Sequence, residues 1–157
     1  MRQVQGLPEL IVTLGGQRLA AADTARIVRI LVHSALGQPT QCQVAWAAED
    51  ALGVSPDTGD ALRIELGGRR TPLFSGEVTV VEYSYRADTG RQVRVRAYDA
   101  LHRLRKRQST RLLEDTDLRA LTEALAAGTG LAVEAPADPL GPVYQVARSD
   151  LDLLVEV

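Results

Sequence analysis

Apolar and polar residues alternate with a period of two through most of the first two thirds of the chain, which predicts antiparallel strands with one buried face. Residues 60–66 and 92–98 show this pattern most strictly. In the second segment one face holds Val93, Val95 and Ala97, and the other holds Arg94, Arg96 and Tyr98. We expect the first face to be buried and the second to meet solvent or another subunit.

Turn-forming residues join the strands into hairpins. Three are predicted, formed by residues 9–14 with 17–19, 26–36 with 40–47, and 73–86 with 91–98. Between the second and third hairpins, residues 48–59 form a polar loop in which residues 49–52 are compatible with one helical turn.

Two of these strands have apolar faces that are less regular. In residues 26–36 the alternation assigns one shared face to Val28, Ile30, Val32 and Leu36. In residues 73–85 the apolar face switches at Val80-Val81. Such a switch predicts a bulge or sharp bend, by which a strand crosses from one sheet to another in a small barrel.

Beyond residue 113 the apolar period lengthens to about three and a half residues, which predicts a helix. Its apolar face comprises Leu118, Leu121 and Leu125. Residues 115–117 offer a cap at its start, and Gly128 with Gly130 stops it. A short strand at residues 131–134, a proline-rich loop and a new helix beginning at Ser149 or Asp150 follow.

Together these elements predict a mainly β fold of the α+β type, a small antiparallel β-barrel with one or two peripheral helices. Two domains are expected. Residues 1–113 form the barrel, and residues 114–157 form the helix, the proline-rich loop and the start of a further helix, which we expect to continue into a region absent from this sequence.

Composition narrows the choice of function. The chain has 157 residues, of which 45% are hydrophobic, and this composition is typical of a globular protein. Its net charge of −2 argues against a general affinity for nucleic acid. The single cysteine, Cys42, excludes an intramolecular disulfide framework and is predicted to be a small core residue. The sequence has no secretory signal pattern and no apolar run of membrane-spanning length, so we expect cytoplasmic synthesis without membrane insertion.

Residues with catalytic chemistry are few and scattered. The two histidines, His33 and His102, have no metal-ligand spacing around them, and no phosphate-binding glycine loop or nucleophile motif is present. Asp99 ends a strand without a second carboxylate nearby in sequence, so it is predicted to cap the turn at residues 100–105 or to pair with an arginine. We predict no catalytic, metal-binding or cofactor-binding residue and no enzymatic activity.

Basic residues are concentrated in one part of the sequence, with seven of the 18 between Arg94 and Arg111. This run has little of the aromatic interleaving used to bind single-stranded nucleic acid, which favours a solvated or subunit-facing edge. The candidate interface residues are Arg94, Arg96, Arg103, Arg105, Arg107 and Arg111. The candidate turn or cap residues are Gly76, Tyr98 and Asp99.

Four motifs in a fixed order carry a resemblance to a known family. They are LFSGEV at residues 73–78, VRVRAYDALHRL at residues 93–104, a leucine-rich helix followed by Gly130-Leu131, and SDLDLL at residues 149–154. Over most of the chain they resemble the N-terminal part of the phage late-control D and VgrG-type tail-hub family. Leu153 departs from the family pattern, which usually has Phe at this position.

The resemblance implies a β-barrel of the tail-hub type and a non-enzymatic part of a baseplate. Such a hub belongs to a contractile phage tail or injection system, where a homotrimeric ring joins the central spike to the inner tube. The implied partners are further copies of the chain and the spike, inner-tube and baseplate wedge proteins, with neither membrane nor nucleic acid among them. The resemblance also implies that the chain is made in the cytoplasm, is assembled there into a particle and can be released together with that particle.

Members of that family continue through a second barrel-like domain, so the resemblance also implies that this chain is a piece of a longer hub. Two other functions remain open from the residues themselves. The strand pattern and basic run also fit a small β-barrel binding module for nucleic acid or oligosaccharide. A cell-wall hydrolase attached to a tail is the third possibility, although the sequence has no pair of placed carboxylates.

Overall fold

A computed structural model describes residues 8–47, 53–87 and 90–157 of the chain. Within these ranges the strands are β1 (Leu10–Leu14), β2 (Gln17–Arg18), β3 (Ile27–His33), β4 (Gln41–Ala47), β5 (Ala61–Leu66), β6 (Phe74–Arg86), β7 (Gly90–Tyr98), β8 (Arg111–Leu113) and β9 (Val143–Gln145). The helices are α1 (Ala21–Ala25), α2 (His102–Arg105), α3 (Leu118–Ala126) and α4 (Asp150–Glu156). The mainly β class is confirmed, with four helices in place of the predicted one or two.

The described residues divide into two compact units. The first comprises residues 8–34 and 40–99, and the second comprises residues 35–39 and 100–157. The boundary after Asp99 lies earlier than the one predicted after residue 113, because α2 and β8 belong to the second unit. β8 pairs with β9, about thirty residues further along the chain, and a pairing at that distance has no local sequence signal.

The first unit is built on one seven-stranded antiparallel sheet with the strand order β2-β1-β5-β6-β7-β4-β3. All three predicted hairpins are present, as β1–β2, β3–β4 and β6–β7. Pairing of β1 with β5 and of β4 with β7 joins the hairpins into one sheet. Within the described ranges the edge strands β2 and β3 do not pair with each other, so the sheet is a curled half-barrel.

One face of this sheet carries the main hydrophobic core. The central strands supply side chains that are 2% exposed or less, as the alternation predicted: Cys42, Val44, Trp46, Val93, Val95 and Ala97. The neighbouring strands add Leu62, Ile64, Phe74 and Val78 to the same cluster. The strict period-two segments were therefore assigned to the correct face.

A bulge in β6 changes which residues face the core. The register with β7 shifts between Val78 and Val80, so the extra residue is Thr79, one position before the predicted switch. Val81 consequently packs against the core, whereas Val80 is 39% exposed. The Thr79 hydroxyl donates to the carbonyl of Arg96 at 3.2 Å, which satisfies part of the disrupted ladder.

A second bulge corrects the face assigned to residues 26–36. The register between β3 and β4 shifts between Ile27 and Arg29. Ile27 therefore packs against the core together with Ile30 and Val32, while Val28 is 56% exposed. The predicted face is right for Ile30 and Val32 and wrong for Val28 and for Leu36, which is fully exposed after the strand.

The second unit packs α3, α4 and the β8–β9 pair around a small core. Leu121, Leu125 and Leu153 are buried at its centre. Asp117 is the N-cap of α3, since its carboxylate accepts from the Ala120 N–H at 2.7 Å, as the sequence predicted. The strand predicted at residues 131–134 is wrong, because this segment is irregular. The helical turn predicted at residues 49–52 lies outside the described residues.

The thiol of Cys42 provides a first test of the core. Burial raises its pKa to about 12, because the interior penalises the charged thiolate. We expect a disulfide-exchange reagent at pH 8 to leave Cys42 unlabelled in the native protein and to label one thiol per chain in urea. Labelling of the native protein at the rate of an unfolded control would contradict the packing of β4.

The N-terminus of α4 provides a second test. Ser149 and Asp152 form a capping box, in which the Ser149 hydroxyl and backbone N–H both donate to the Asp152 carboxylate, at 2.7 and 3.1 Å. These two hydrogen bonds, the hydroxyl's first, lower the pKa of Asp152. The contribution of the box to stability is therefore complete above the pKa of an unfolded aspartate and is lost as the pH falls through the lowered folded pKa.

We expect Ser149→Ala to raise the pKa of Asp152 toward the ordinary aspartate value, because both the strongest donor and its geometry are lost. Carboxyl-resolved NMR titration of the two proteins measures this directly, with the other carboxyl resonances as an internal reference. An unchanged Asp152 midpoint in Ser149→Ala would show that the capping box does not form in solution.

Candidate functional site

Two of the six candidate interface arginines lie on the outer face of the main sheet. Arg94 and Arg96 project from β7, and their side chains are 38% and 42% exposed. Both contact Glu82 of β6, with a distance of 2.8 Å from the Arg96 Nη2 to Oε1 and of 3.4 Å from the Arg94 Nη1 to Oε2. Exposed pairs of this kind contribute little to stability, about 0–1 kcal/mol, so both guanidinium groups are accessible to a partner.

Two further candidates donate hydrogen bonds to backbone carbonyls at the C-terminal end of a helix. Arg107 donates to the carbonyls of Leu125 and, at 2.9 Å, Ala127, and Arg103 donates to the carbonyl of Thr129 at 2.8 Å. These carbonyls lie at and just beyond the end of α3, where backbone acceptors lack helical partners and the helix dipole is negative. Part of the basic run therefore holds the C-terminal end of α3, a role that sequence reasoning missed.

Arg111, the last arginine of the basic run, forms an ion pair with a buried carboxylate, as does Arg107. The Asp150 side chain is 4% exposed, and its Oδ1 lies 2.9 Å from the Arg111 Nη2 while its Oδ2 lies 3.1 Å from the Arg107 Nε. Gln145 donates to the same Oδ1 at 2.9 Å and accepts from the Arg111 Nε at 2.7 Å. This network ties α4 to β8 and β9, and a buried carboxylate needs such partners.

The remaining candidate, Arg105, is exposed on α2 and has no hydrogen-bond partner among the described residues. The structure therefore separates the six arginines into a pair on the sheet, a group inside the second unit and one exposed side chain, Arg105, whose charge helps to lower the pKa of Asp152. Arg94, Arg96 and Arg105 remain predicted contacts with a partner. Their contact with another subunit stays a prediction.

The three candidate turn or cap residues lie together where β6 begins and β7 ends. A Cβ atom built on Gly76 would lie 2.1 Å from the carbonyl oxygen of Tyr98 and 2.6 Å from the Phe74 ring, so only glycine fits. Asp99 follows directly, and its carboxylate accepts from the Thr40 N–H at 2.9 Å while its own N–H donates to the Thr40 carbonyl. The N-cap residue of the helix that follows, Leu101, makes no side-chain cap hydrogen bond. The predicted role of Asp99, to cap the turn at residues 100–105 or to pair with an arginine, stays a prediction.

An exposed cluster of aromatic residues lies on the β6–β7 hairpin, and the sequence analysis did not single it out as a site. Tyr83 and Tyr85 are 49% and 73% exposed. The guanidinium carbon of Arg91 lies 5.6 Å from the Tyr83 ring centroid and 5.9 Å from that of Tyr85, within range for cation–π attraction. We call these three residues the tyrosine cluster. The alternation Tyr83–Tyr85 was visible in the sequence, but its position beyond the core was not.

Other kinds of site have little support in the described part of the chain. Residues 8–47, 53–87 and 90–157 contain no group of three or more histidine, cysteine or acidic side chains arranged to hold a metal ion. His102 is buried in α2. Over the same ranges no helix has the length and apolar character needed to cross a membrane.

Comparisons by sequence find no matching protein-family model and no matching curated protein. Comparison of the fold does find solved structures. The 43 kDa tail protein of prophage MuSo2 from Shewanella oneidensis matches 94% of this chain with a TM-score of 0.71 and 15% identity. A tail protein from Neisseria meningitidis MC58 matches 92% of it with a TM-score of 0.65 and 15% identity.

A third similar structure is the E. coli c3393 protein, described as a component of the type VI secretion system with structural similarity to the T4 bacteriophage tail proteins gp27 and gp5. It matches 98% of this chain with a TM-score of 0.60 and 10% identity. At these identities the likeness establishes a shared fold. The chain spans 47%, 40% and 43% of the Shewanella, E. coli and Neisseria proteins, and thus about half the length of its structural neighbours.

Proposed function

We propose that this chain is a structural component of the baseplate hub of a contractile phage tail or injection system, of the late-control D and VgrG type. The observation that carries the proposal is the fold itself. Nearly the whole chain, both units included, matches two tail proteins, one of them from a prophage, and a protein described as a type VI secretion component. The ordered motifs of the sequence support the same family.

In the proposed assembly the chain forms a homotrimeric ring with copies of itself, or supplies one part of a longer hub subunit. The ring joins the central spike to the inner tube and contacts the baseplate wedge. The half-barrel supports this role because its outer face carries exposed apolar side chains, Leu31 and Val80, beside Arg94 and Arg96. A face with both kinds of residue resembles a protein interface more than an ordinary solvated surface.

The alternative module for nucleic acid or oligosaccharide has weaker support. Arg103, Arg107 and Arg111 donate to acceptors within the chain, which leaves fewer guanidinium groups for phosphate contacts than the sequence suggested. The proposed role is that of a scaffold without catalytic activity or cofactor, in a particle assembled in the cytoplasm.

The test is sedimentation of the epitope-tagged native protein from a gently lysed source cell. We expect it to travel with large particles that contain tube and sheath proteins, and to return to the top of the gradient after those particles are dissociated in denaturant. Cross-linking within the particle fraction should give a trimer of the tagged chain. A tagged protein that stays at the top while tube and sheath proteins sediment would refute the hub role.

A further inference from the structure

A proline repeat in the second unit matches the exposed tyrosine cluster in chemistry. Pro136, Pro139 and Pro142 recur at intervals of three residues. A polyproline II helix has about three residues per turn, so in that conformation this spacing would place all three rings along one edge. Proline also fixes its own φ and biases the preceding residue toward an extended conformation, which restricts Ala135, Asp138 and Gly141 as well.

The structure holds this segment in place and exposes its prolines. The Asp138 carbonyl accepts from the Leu118 N–H at 2.9 Å, and the Leu140 N–H donates to the Thr116 carbonyl at 3.0 Å. The Leu140 side chain packs against the core of the second unit. All three prolines are exposed. Because the backbone of the segment is already held by these contacts, it would lose little conformational freedom on binding.

The tyrosine cluster offers the complementary surface. Exposed aromatic rings on a rigid strand are the feature by which proteins recognise proline-rich segments in the polyproline II conformation. Tyr83 and Tyr85 lie two residues apart on one face of β6, about 7 Å from each other. Tyrosine and arginine are also the residues most enriched among those that dominate binding energy at interfaces.

The tyrosine cluster and the proline segment also carry opposite charges. The Arg91 Nε has no hydrogen-bond partner among the described residues, and the carboxylate of Asp138, between the first two prolines, belongs to an exposed residue. A proline edge that packs on the two tyrosine rings would bring this carboxylate to the guanidinium of Arg91. We propose that the tyrosine cluster of one copy of this chain binds the Pro136–Pro142 segment of a second copy.

The contact is heterologous, because each copy offers one surface at the cluster and a different one at the proline segment. Repetition of such a contact produces a closed ring or a filament, and not a two-fold dimer. The inference adds a specific contact to the proposed hub and rests on that function only for the expectation that copies associate. It stands or falls separately, since a hub could assemble through other surfaces.

Disulfide trapping between full-length chains tests the contact. One chain carries Ala87→Cys, which lies two residues beyond Tyr85 and leaves the tyrosine cluster intact, and the other carries Ala137→Cys. Both positions are exposed, while the native Cys42 is buried. Under mild oxidation we expect the mixed dimer to form about tenfold faster than it does for the matched pair Tyr144→Cys with Ala137→Cys. Tyr144 is the control because it is 60% exposed and lies away from the cluster in sequence.

Exchange of the two charges adds a second readout, because non-specific association would not respond to it in this way. Arg91→Glu in the Ala87→Cys chain should slow trapping, and Asp138→Arg in the Ala137→Cys chain should restore it. Equal trapping rates for the Ala87→Cys and Tyr144→Cys pairs would overturn the proposal, as would a failure of the second charge change to restore the rate. The same equal rates are expected if a different protein or a sugar occupies the cluster. Co-sedimentation with tail particles would then leave the hub function standing without this contact.

Discussion

Gly76→Ala is expected to lower the free energy of unfolding of the first unit by about 3 kcal/mol or more, at the upper end of the range for overpacked interiors. The added Cβ would lie 2.1 Å from the Tyr98 carbonyl oxygen and 2.6 Å from the Tyr98 carbonyl carbon. The Phe74 ring could rotate away, but the Tyr98 carbonyl belongs to the backbone at the last pair of the β6–β7 ladder. Relief of the overlap therefore requires separation of the two strands.

Urea unfolding measures this effect, with fluorescence of the buried Trp46 and far-UV circular dichroism as probes. Gly141→Ala is the matched control, because a Cβ at Gly141 meets no atom within 4 Å and its φ is not positive. We expect this control to change the free energy of unfolding by about 0.5 kcal/mol or less. Equal midpoints for the two variants would mean that Tyr98 does not fold over Gly76.

Asp150→Ala is expected to have the second largest effect, a loss of about 2–3 kcal/mol in the second unit. Removal of one partner of a fully buried ion pair costs about 3–5 kcal/mol. The expected value is lower here because Arg107 and Arg111 are 41% and 29% exposed and regain some hydration. The cost is still substantial, since the substitution removes the acceptor shared by Arg111 and Gln145 and the negative charge paired with Arg107.

Hydrogen exchange resolved by mass spectrometry localises this effect. We expect α4 and β9 to lose protection in Asp150→Ala while β4 retains it, because the network lies within the second unit. Glu123→Gln, which removes an exposed carboxylate from α3, should leave the exchange pattern of α4 unchanged. If Asp150→Ala exchanged like Glu123→Gln, the network would be a solvated ion pair and not a structural one.

Local patterns predicted the elements whose signals are contained within a few residues. The alternation of β4, β5 and β7 assigned the buried face correctly, and the acidic or hydroxyl residues before α3 and α4 proved to be caps. The bulge in β6 was expected but lies one residue earlier, at Thr79. Side-chain period indicates that a face changes, whereas the pairing with β7 decides which residue is the extra one.

The candidate site was only partly predictable, because arginine roles depend on acceptors distant in sequence. Arg107 caps carbonyls 18 and 20 residues away and pairs with Asp150. A basic run in sequence gives the charge but not the partner, and the choice between an external and an internal partner needs the tertiary structure. Gly76 is a different case, since its motif was recognised but the steric reason for it required the path of Tyr98.

The strand order of the half-barrel also constrains how the chain folds as it leaves the ribosome. β1 is made first, but its long partner β5 follows about fifty residues later, a delay of roughly 3–10 s at bacterial synthesis rates. β4 likewise waits about fifty residues for β7. β1 therefore lacks its long partner until β5 emerges, and β4 lacks β7 until the β6–β7 hairpin emerges and brings the strands into one sheet. The interval in which apolar strands lack their pairing partners therefore ends when Tyr98 is synthesised, because its backbone passes over Gly76 and completes the β6–β7 ladder.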